Sequence, residues 1–336
     1  MDKAMNIRTE MSNLPWKARI LFYIASIIIR ACLRKDFTVN RRLLSFLDFK
    51  ASPSKDSHGG VISSDVIVDN SRSVWFRVYT PTNSAPETSS FPVIIFAHGG
   101  GFCLCAVDSL GYDSHCKKLT DELRAIIVSI NYRLAPEHKY PCQYEDCFDA
   151  LKYVDANLHH LSPSADLGRC FLLGDSAGGN LIHHMAVKAS EYAFKRLKIV
   201  GLMSIQPFFG GEERTESENR LARAPMLTLE HTDWYWKAFL PQGTDRDHRV
   251  VNVFGPNSHD ISGVKYPSTL VCIGGIDLLQ DWQRKYYQGL KEIGTKVQLV
   301  EYPNAVHGFW MLSMFPETSL LIKELKSFIE KACISQ

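Results

Sequence analysis

Cys170-Phe171-Leu172-Leu173-Gly174-Asp175-Ser176-Ala177-Gly178-Gly179-Asn180 is the stretch on which the fold turns. Cys170–Leu173 predicts a buried strand, Asn180 to Tyr192 predicts a helix, and the G-x-S-x-G pentapeptide Gly174–Gly178 falls on the turn between them. So sharp a strand-to-helix turn strains the backbone of the serine, and its neighbours must be small. Gly174, Ala177, Gly178 and Gly179 meet that demand. The helix then aims its positive end at Ser176. A glycine-rich turn with an idle serine would carry the same letters, so the reading depends on context.

Outward from this turn, short apolar runs alternate with helical stretches: Val93–Ala97, Ala125–Ile130, Ile199–Ile205, Thr269–Ile273 and Val297–Tyr302. Such runs, rich in β-branched residues, predict a mainly parallel sheet buried on both faces by helices. Ahead of it, Val61–Val68 and Val74–Tyr79 alternate as two strands joined through Asp69-Asn70-Ser71-Arg72, which suits an antiparallel hairpin. Pro81 to Ser90 reads as an exposed polar loop. From Leu14 to about Phe49 the period is helical, with basic patches Arg30/Arg34/Lys35 and Arg41/Arg42, so residues 1–50 are expected to form cap helices. Between Gln206 and Val264 the alternation stops, and residues 206–264 read as a cap insertion in one domain spanning 1–336.

Lys plus Arg number 38 against 36 Asp plus Glu, a net charge of +2, which argues against nucleic acid as a partner and for small, weakly charged ones. The nine cysteines show no C-x-x-C pair and no His/Cys zinc spacing, as expected of reduced thiols. Ile20 to Ile29 is about half the length a membrane span needs, and Arg30-Ala31-Cys32-Leu33-Arg34-Lys35 after it supplies no convincing cleavage site, so a cytoplasmic protein without a transmembrane span is expected. An apolar face on these helices could instead rest on a membrane surface.

A chemistry emerges from three further places. His98-Gly99-Gly100-Gly101-Phe102 follows a strand, and its bare glycines let main-chain N–H groups approach a substrate oxygen. Gly100, Gly101 and Ala177 are the expected donors of an oxyanion hole, with His98 shaping the loop. Asp277 follows Thr269–Ile273 and His307 follows Val297–Tyr302, each at the carboxyl end of a strand, where ligand chemistry collects in open α/β sheets. With Ser176 as nucleophile, His307 is the expected base and Asp277 the acid that orients it. Asp281 is a rival acid, better suited to the start of a helix. His183 and His184 are adjacent on a helix and so do not face one another as metal ligands would. Cys103 and Cys105 lack an assigned base and read as pocket-lining thiols. Phe102, Phe208, Phe209 and Trp234 are candidates for an apolar substrate pocket. The chemistry calls for no metal and no cofactor.

Together, His98–Phe102, Asn131-Tyr-Arg-Leu-Ala-Pro-Glu-His138, Gly174–Asn180, Gly275-Ile-Asp-Leu-Leu-Gln-Asp281 and His307-Gly-Phe309 resemble the hormone-sensitive-lipase-like plant carboxylesterases from about Val61 to the C-terminus. The resemblance implies an α/β-hydrolase fold, a cap formed partly by N-terminal helices, and cofactor-free hydrolysis of small carboxylic esters by the residues already named. Gibberellin receptors are similar over much of the chain, including a segment like Asp277-Leu-Leu-Gln-Asp-Trp282, but lack the catalytic histidine, which is present here as His307. Other relatives are lyases or cyclases of specialised metabolism that reuse the cleft. Some of these alter the triple glycine, intact here. The expectation is a serine carboxylesterase, with a lyase or a hormone-like receptor as the alternatives.

Overall fold

The structure is a computed structural model that describes residues 14–55, 59–82 and 90–334. Eight strands among the described residues are β1 (Val61–Asp69), β2 (Val74–Pro81), β3 (Phe91–Ala97), β4 (Ile126–Asn131), β5 (Ala165–Asp175), β6 (Ile199–Ile205), β7 (Ser268–Ile276) and β8 (Val297–Val306). They form one sheet in the order β1-β2-β4-β3-β5-β6-β7-β8. β2 runs antiparallel to both its neighbours, and β3 to β8 are mutually parallel. The apolar runs decide this. Val93 to Ala97 are all fully buried, as a central strand covered on both faces must be. The β1–β2 turn is closed by Asp69, whose Oδ1 accepts from Ser71 N at 2.9 Å and whose Oδ2 accepts from Arg72 Nε at 2.6 Å. Of the expected loop Pro81 to Ser90, residues 83–89 lie outside the described residues.

Two helix pairs cover the sheet: α3 (Leu110–Leu123) packs with α9 (Pro316–Ile334), and α4 (Cys142–Ala156) packs with α5 (Ala177–Ser190). α8 (Gln280–Glu292) lies on β7 and β8. Ahead of the sheet stand α1 (Trp16–Cys32) and α2 (Arg41–Leu47), joined by a short antiparallel pairing of Leu33 with Val39. α1 carries two stripes. Ala18, Phe22 and Cys32 are buried, with Ile29 packed beside them, at three-to-four spacing. Trp16, Ile20, Ile24 and Ile27 point outward.

Residues 206–264 hold α6 (Glu216–Arg220), opened by a Thr215/Glu218 capping box, and α7 (Leu229–Phe239), capped by Thr228. α7 is fastened by aromatic stacking, Phe239 on Phe102 with ring centroids 4.0 Å apart and Trp236 on Phe208 at 4.0 Å. The Arg41 guanidinium ties α2 to the same region. It donates to Cys103 O (2.6 Å) and Ala135 O (2.7 Å) and pairs with Glu137.

Candidate active site

Five strand ends converge on one point. Ser176 follows β5 with φ 52° and ψ −119°, the strained conformation expected of a serine on a sharp strand-to-helix turn. Its N–H donates to Ile205 O at 3.0 Å and its carbonyl accepts from Phe208 N at 2.9 Å, so β6 and its exit loop hold the turn from both sides. A Cβ at Gly178 would overlap the carbonyl of Ala97 at the end of β3. That bare approach brings the start of α5 against the loop that leaves β3.

This loop is the glycine triplet. Gly100 and Gly101 sit at φ 101° and 59°. A Cβ at Gly101 would stand 2.5 Å from the ring of Tyr235 on α7. Among the described residues none accepts a hydrogen bond from the main-chain N–H of Gly100, Gly101 or Ala177. His98 is fully buried and stacks on Tyr132 with centroids 4.3 Å apart, and its Nδ1 donates to Gly99 O at 2.8 Å. Burial lowers its pKa to about 4, so it stays neutral and shapes the loop.

His307 follows β8 directly, and its Nε2 stands 3.0 Å from Ser176 Oγ while its Nδ1 stands 2.8 Å from Asp277 Oδ2. Asp277 follows β7 and is fully buried. Besides His307, its Oδ2 accepts from Gln206 Nε2 (3.1 Å) and Gln283 Nε2 (2.9 Å), and its Oδ1 accepts from Leu279 N (3.0 Å). Burial works against charging His307, but the carboxylate of Asp277, by charge and by hydrogen bond, outweighs it and holds the imidazole above its ordinary value, with a smaller push from Asp175. Asp281 lies instead in the first turn of α8, where its Oδ2 accepts from Ser217 N at 2.8 Å. His183 Nδ1 is engaged with the Tyr266 hydroxyl at 2.8 Å, inside an aromatic cluster.

A cavity of about 340 Å³ opens over Ser176 and His307. α1 contributes Leu21, Phe22, Ala25 and Ile29 to its wall, the 206–264 stretch contributes Phe208, Met226, Leu227 and Tyr235, and Met311 and Leu312 close the far side. Of the four aromatic candidates, Phe208 is in this wall. Phe102 is buried behind the loop between Phe208 and Phe239, and Phe209 packs on Tyr286 in a second core cluster. Trp234 points the other way, donating its indole N–H to Arg34 O at 2.7 Å. Cys105 also lines the cavity, and burial pushes its thiol up to about 12. It is therefore no thiolate nucleophile. Cys103 is buried outside the wall.

Sequence reasoning missed the side chains that hold the arrangement. Gln206 bonds Asp277 and the Val306 carbonyl through Nε2 and accepts from Gly308 N at 2.9 Å, so one amide links the β6, β7 and β8 exits. Asp175 accepts from the Tyr112 hydroxyl (2.9 Å) and Gly99 N (3.0 Å), joining the elbow to the glycine loop. The only hint of either was its position beside a strand end.

A largely parallel sheet with this elbow at the end of β5 defines an α/β-hydrolase. The family model for the alpha/beta hydrolase fold matches residues 94–311. The chain belongs to the plant carboxylesterase family of these hydrolases, to which the gibberellin receptors are related. It is 37% identical to the Arabidopsis thaliana gibberellin receptor GID1C over 99% of both chains, and 33% identical to Carboxylesterase 20 of the same plant over 88% of this chain and 93% of that one. Among solved structures it resembles a hyperthermophilic esterase from the archaeon Pyrobaculum calidifontis, with TM-score 0.75 and 26% identity over 96% of this chain and 99% of that one.

Proposed function

We propose that the protein is a serine carboxylesterase acting on small esters with an apolar acyl or alcohol part. The observation that carries the reading is His307 standing between Ser176 Oγ and Asp277 Oδ2 at 3.0 and 2.8 Å. In the proposed reaction Ser176 Oγ bonds to the ester carbonyl carbon as His307 Nε2 takes its proton, and Asp277 steadies the imidazolium. The oxygen that gains the charge lies among the N–H groups of Gly100, Gly101 and Ala177. Collapse breaks the bond to the alcohol, which leaves with the proton from His307. Water, deprotonated by the same imidazole, then releases the acid and frees Ser176. Nine free thiols fit a reducing compartment, the cytoplasm.

The receptor reading draws on the likeness to gibberellin receptors. Against a hormone-like acid as ligand stands the cavity wall, which is largely apolar and among the described residues includes no Lys or Arg. Stopped-flow hydrolysis of a short p-nitrophenyl ester decides between the two. The expected result is a burst equal to the enzyme concentration, lost in Ser176→Ala with kcat down roughly 10⁴-fold or more. Saturable binding of an acid without any turnover by the native chain would decide for a receptor.

A further inference from the structure

We infer that the α1–α2 hairpin docks on an anionic phospholipid surface, with the outward stripe of α1 entering the headgroup layer beside the mouth of the cavity. The stripe consists of Trp16, Ile20, Tyr23, Ile24 and Ile27, exposed by 63%, 51%, 69%, 48% and 52%. Five large apolar or aromatic side chains on one helical face form a patch of the kind that soluble surfaces seldom leave bare. The opposite stripe is already occupied, since Phe22, Ala25 and Ile29 line the cavity over Ser176. Leu21, at 39% exposure, belongs to both, lying in the cavity wall at its outer edge. On and just after α2, Phe46 and Phe49 are also exposed, by 79% and 71%, and Phe49 O accepts from the backbone of the exposed Leu110.

Charge selects the occupant. Residues 16–47 hold seven Lys or Arg against the single acid Asp36, a net +6 in a chain of net +2, so the remainder of the molecule is net −4. Asp36 is engaged locally with Thr38. Arg41 is spent on Glu137, which leaves Lys17, Arg19, Arg30, Arg34, Lys35 and Arg42 along the hairpin. A basic hairpin with an apolar, Trp- and Tyr-bearing face on an acidic body is complementary to a negatively charged bilayer, which attracts such cations and accepts such side chains at headgroup level. No described helix is long and apolar enough to cross a membrane, so the contact is with the surface. A docked hairpin opens the cavity toward the acyl chains and gives apolar esters a path that avoids water.

The test is co-sedimentation of the full chain with phosphatidylcholine vesicles, with and without phosphatidylserine. It is run in parallel on Ser176→Ala, so that binding is read apart from any hydrolysis. The expected result is binding to the phosphatidylserine vesicles that weakens as salt is added. Lys17→Gln/Lys35→Gln/Arg42→Gln should weaken it about fivefold per cation, on the order of 100-fold in all. Ile20→Asp and Ile24→Asp, both outside the cavity wall, should each weaken it about tenfold or more without altering the far-UV spectrum or the hydrolysis of a soluble ester in vesicle-free buffer. Equal binding to neutral and anionic vesicles, or none to either, overturns the inference. So does a dimer in solution that Ile24→Asp dissociates, because a second copy would then be what covers the stripe.

Discussion

Gln206 is the residue on which the site's geometry hangs. Its backbone holds φ 45°, a left-handed conformation for a side chain other than glycine, and its amide spans Asp277, Val306 and Gly308. Gln206→Ala removes a side chain that bonds to both loops bearing the acid and the base. We expect kcat to fall about 10- to 100-fold, the scale of a 1 Å misplacement, with KM and thermal midpoint little changed. Steady-state kinetics beside a melting curve checks both. Asp175 gives a pH-dependent prediction. Burial raises its carboxyl from 3.8 to about 7, against the bonds from Tyr112 and Gly99 that favour the anion. The folded state therefore prefers the proton. This stabilisation is complete below pH 3.8, declines above it, and is lost as pH rises through about 7. Asp175→Asn should flatten the fall in urea midpoint across that window, whereas an unchanged slope would assign the fall to other groups.

At the scale of elements, the glycine loop is braced from two sides by segments remote in sequence. Tyr235 of α7 lies against Gly101, and Arg41 of α2 grips Cys103 O and Ala135 O. Arg41→Ala leaves those carbonyls to water and frees the hairpin that walls the cavity. KM for an apolar ester should rise several-fold and limited proteolysis should cut sooner within residues 33–40, while Ser176 still labels with a phosphonate. The strands were legible because a buried strand writes itself as an unbroken apolar run. β6 falls where Ile199–Ile205 predicts it, and β5 extends five residues earlier and two later than Cys170–Leu173, where Asp166, Gly168, Arg169, Gly174 and Asp175 interrupt the apolar run that a hydrophobic pattern registers. Ser176, Asp277 and His307 could be singled out because each directly follows a strand. The cavity wall could not. Aromatic identity foretold that Phe102 and Phe209 would be buried, but which face of which packed element each would meet depends on the angle at which α1 and α7 lie, and periodicity carries no such angle.

Across the whole molecule, the sheet's antiparallel edge is secured by a buried ion pair, Arg77 with Asp113, whose outer partners Asp65 and Lys117 reach the surface. Arg77 on β2 is 1% exposed and donates to Asp65 on β1 and to Asp113 on α3, which also accepts from Tyr79 and pairs with Lys117. Removing one member of such a buried set costs more than the set contributes when intact. Asp113→Ala should destabilise the fold by about 3 kcal/mol, read as a shifted urea midpoint at constant m, with the rate per native molecule unchanged. One further consequence follows from the parallel order β3-β5-β6-β7-β8. The glycine loop, the elbow serine, the amide brace, the acid and the base leave these five adjoining strands in that same sequence, one strand each. No half-assembled intermediate therefore owns a working centre, and the turnover regained during renaturation counts fully zipped molecules, lagging any optical signal that reports the first strands to pair.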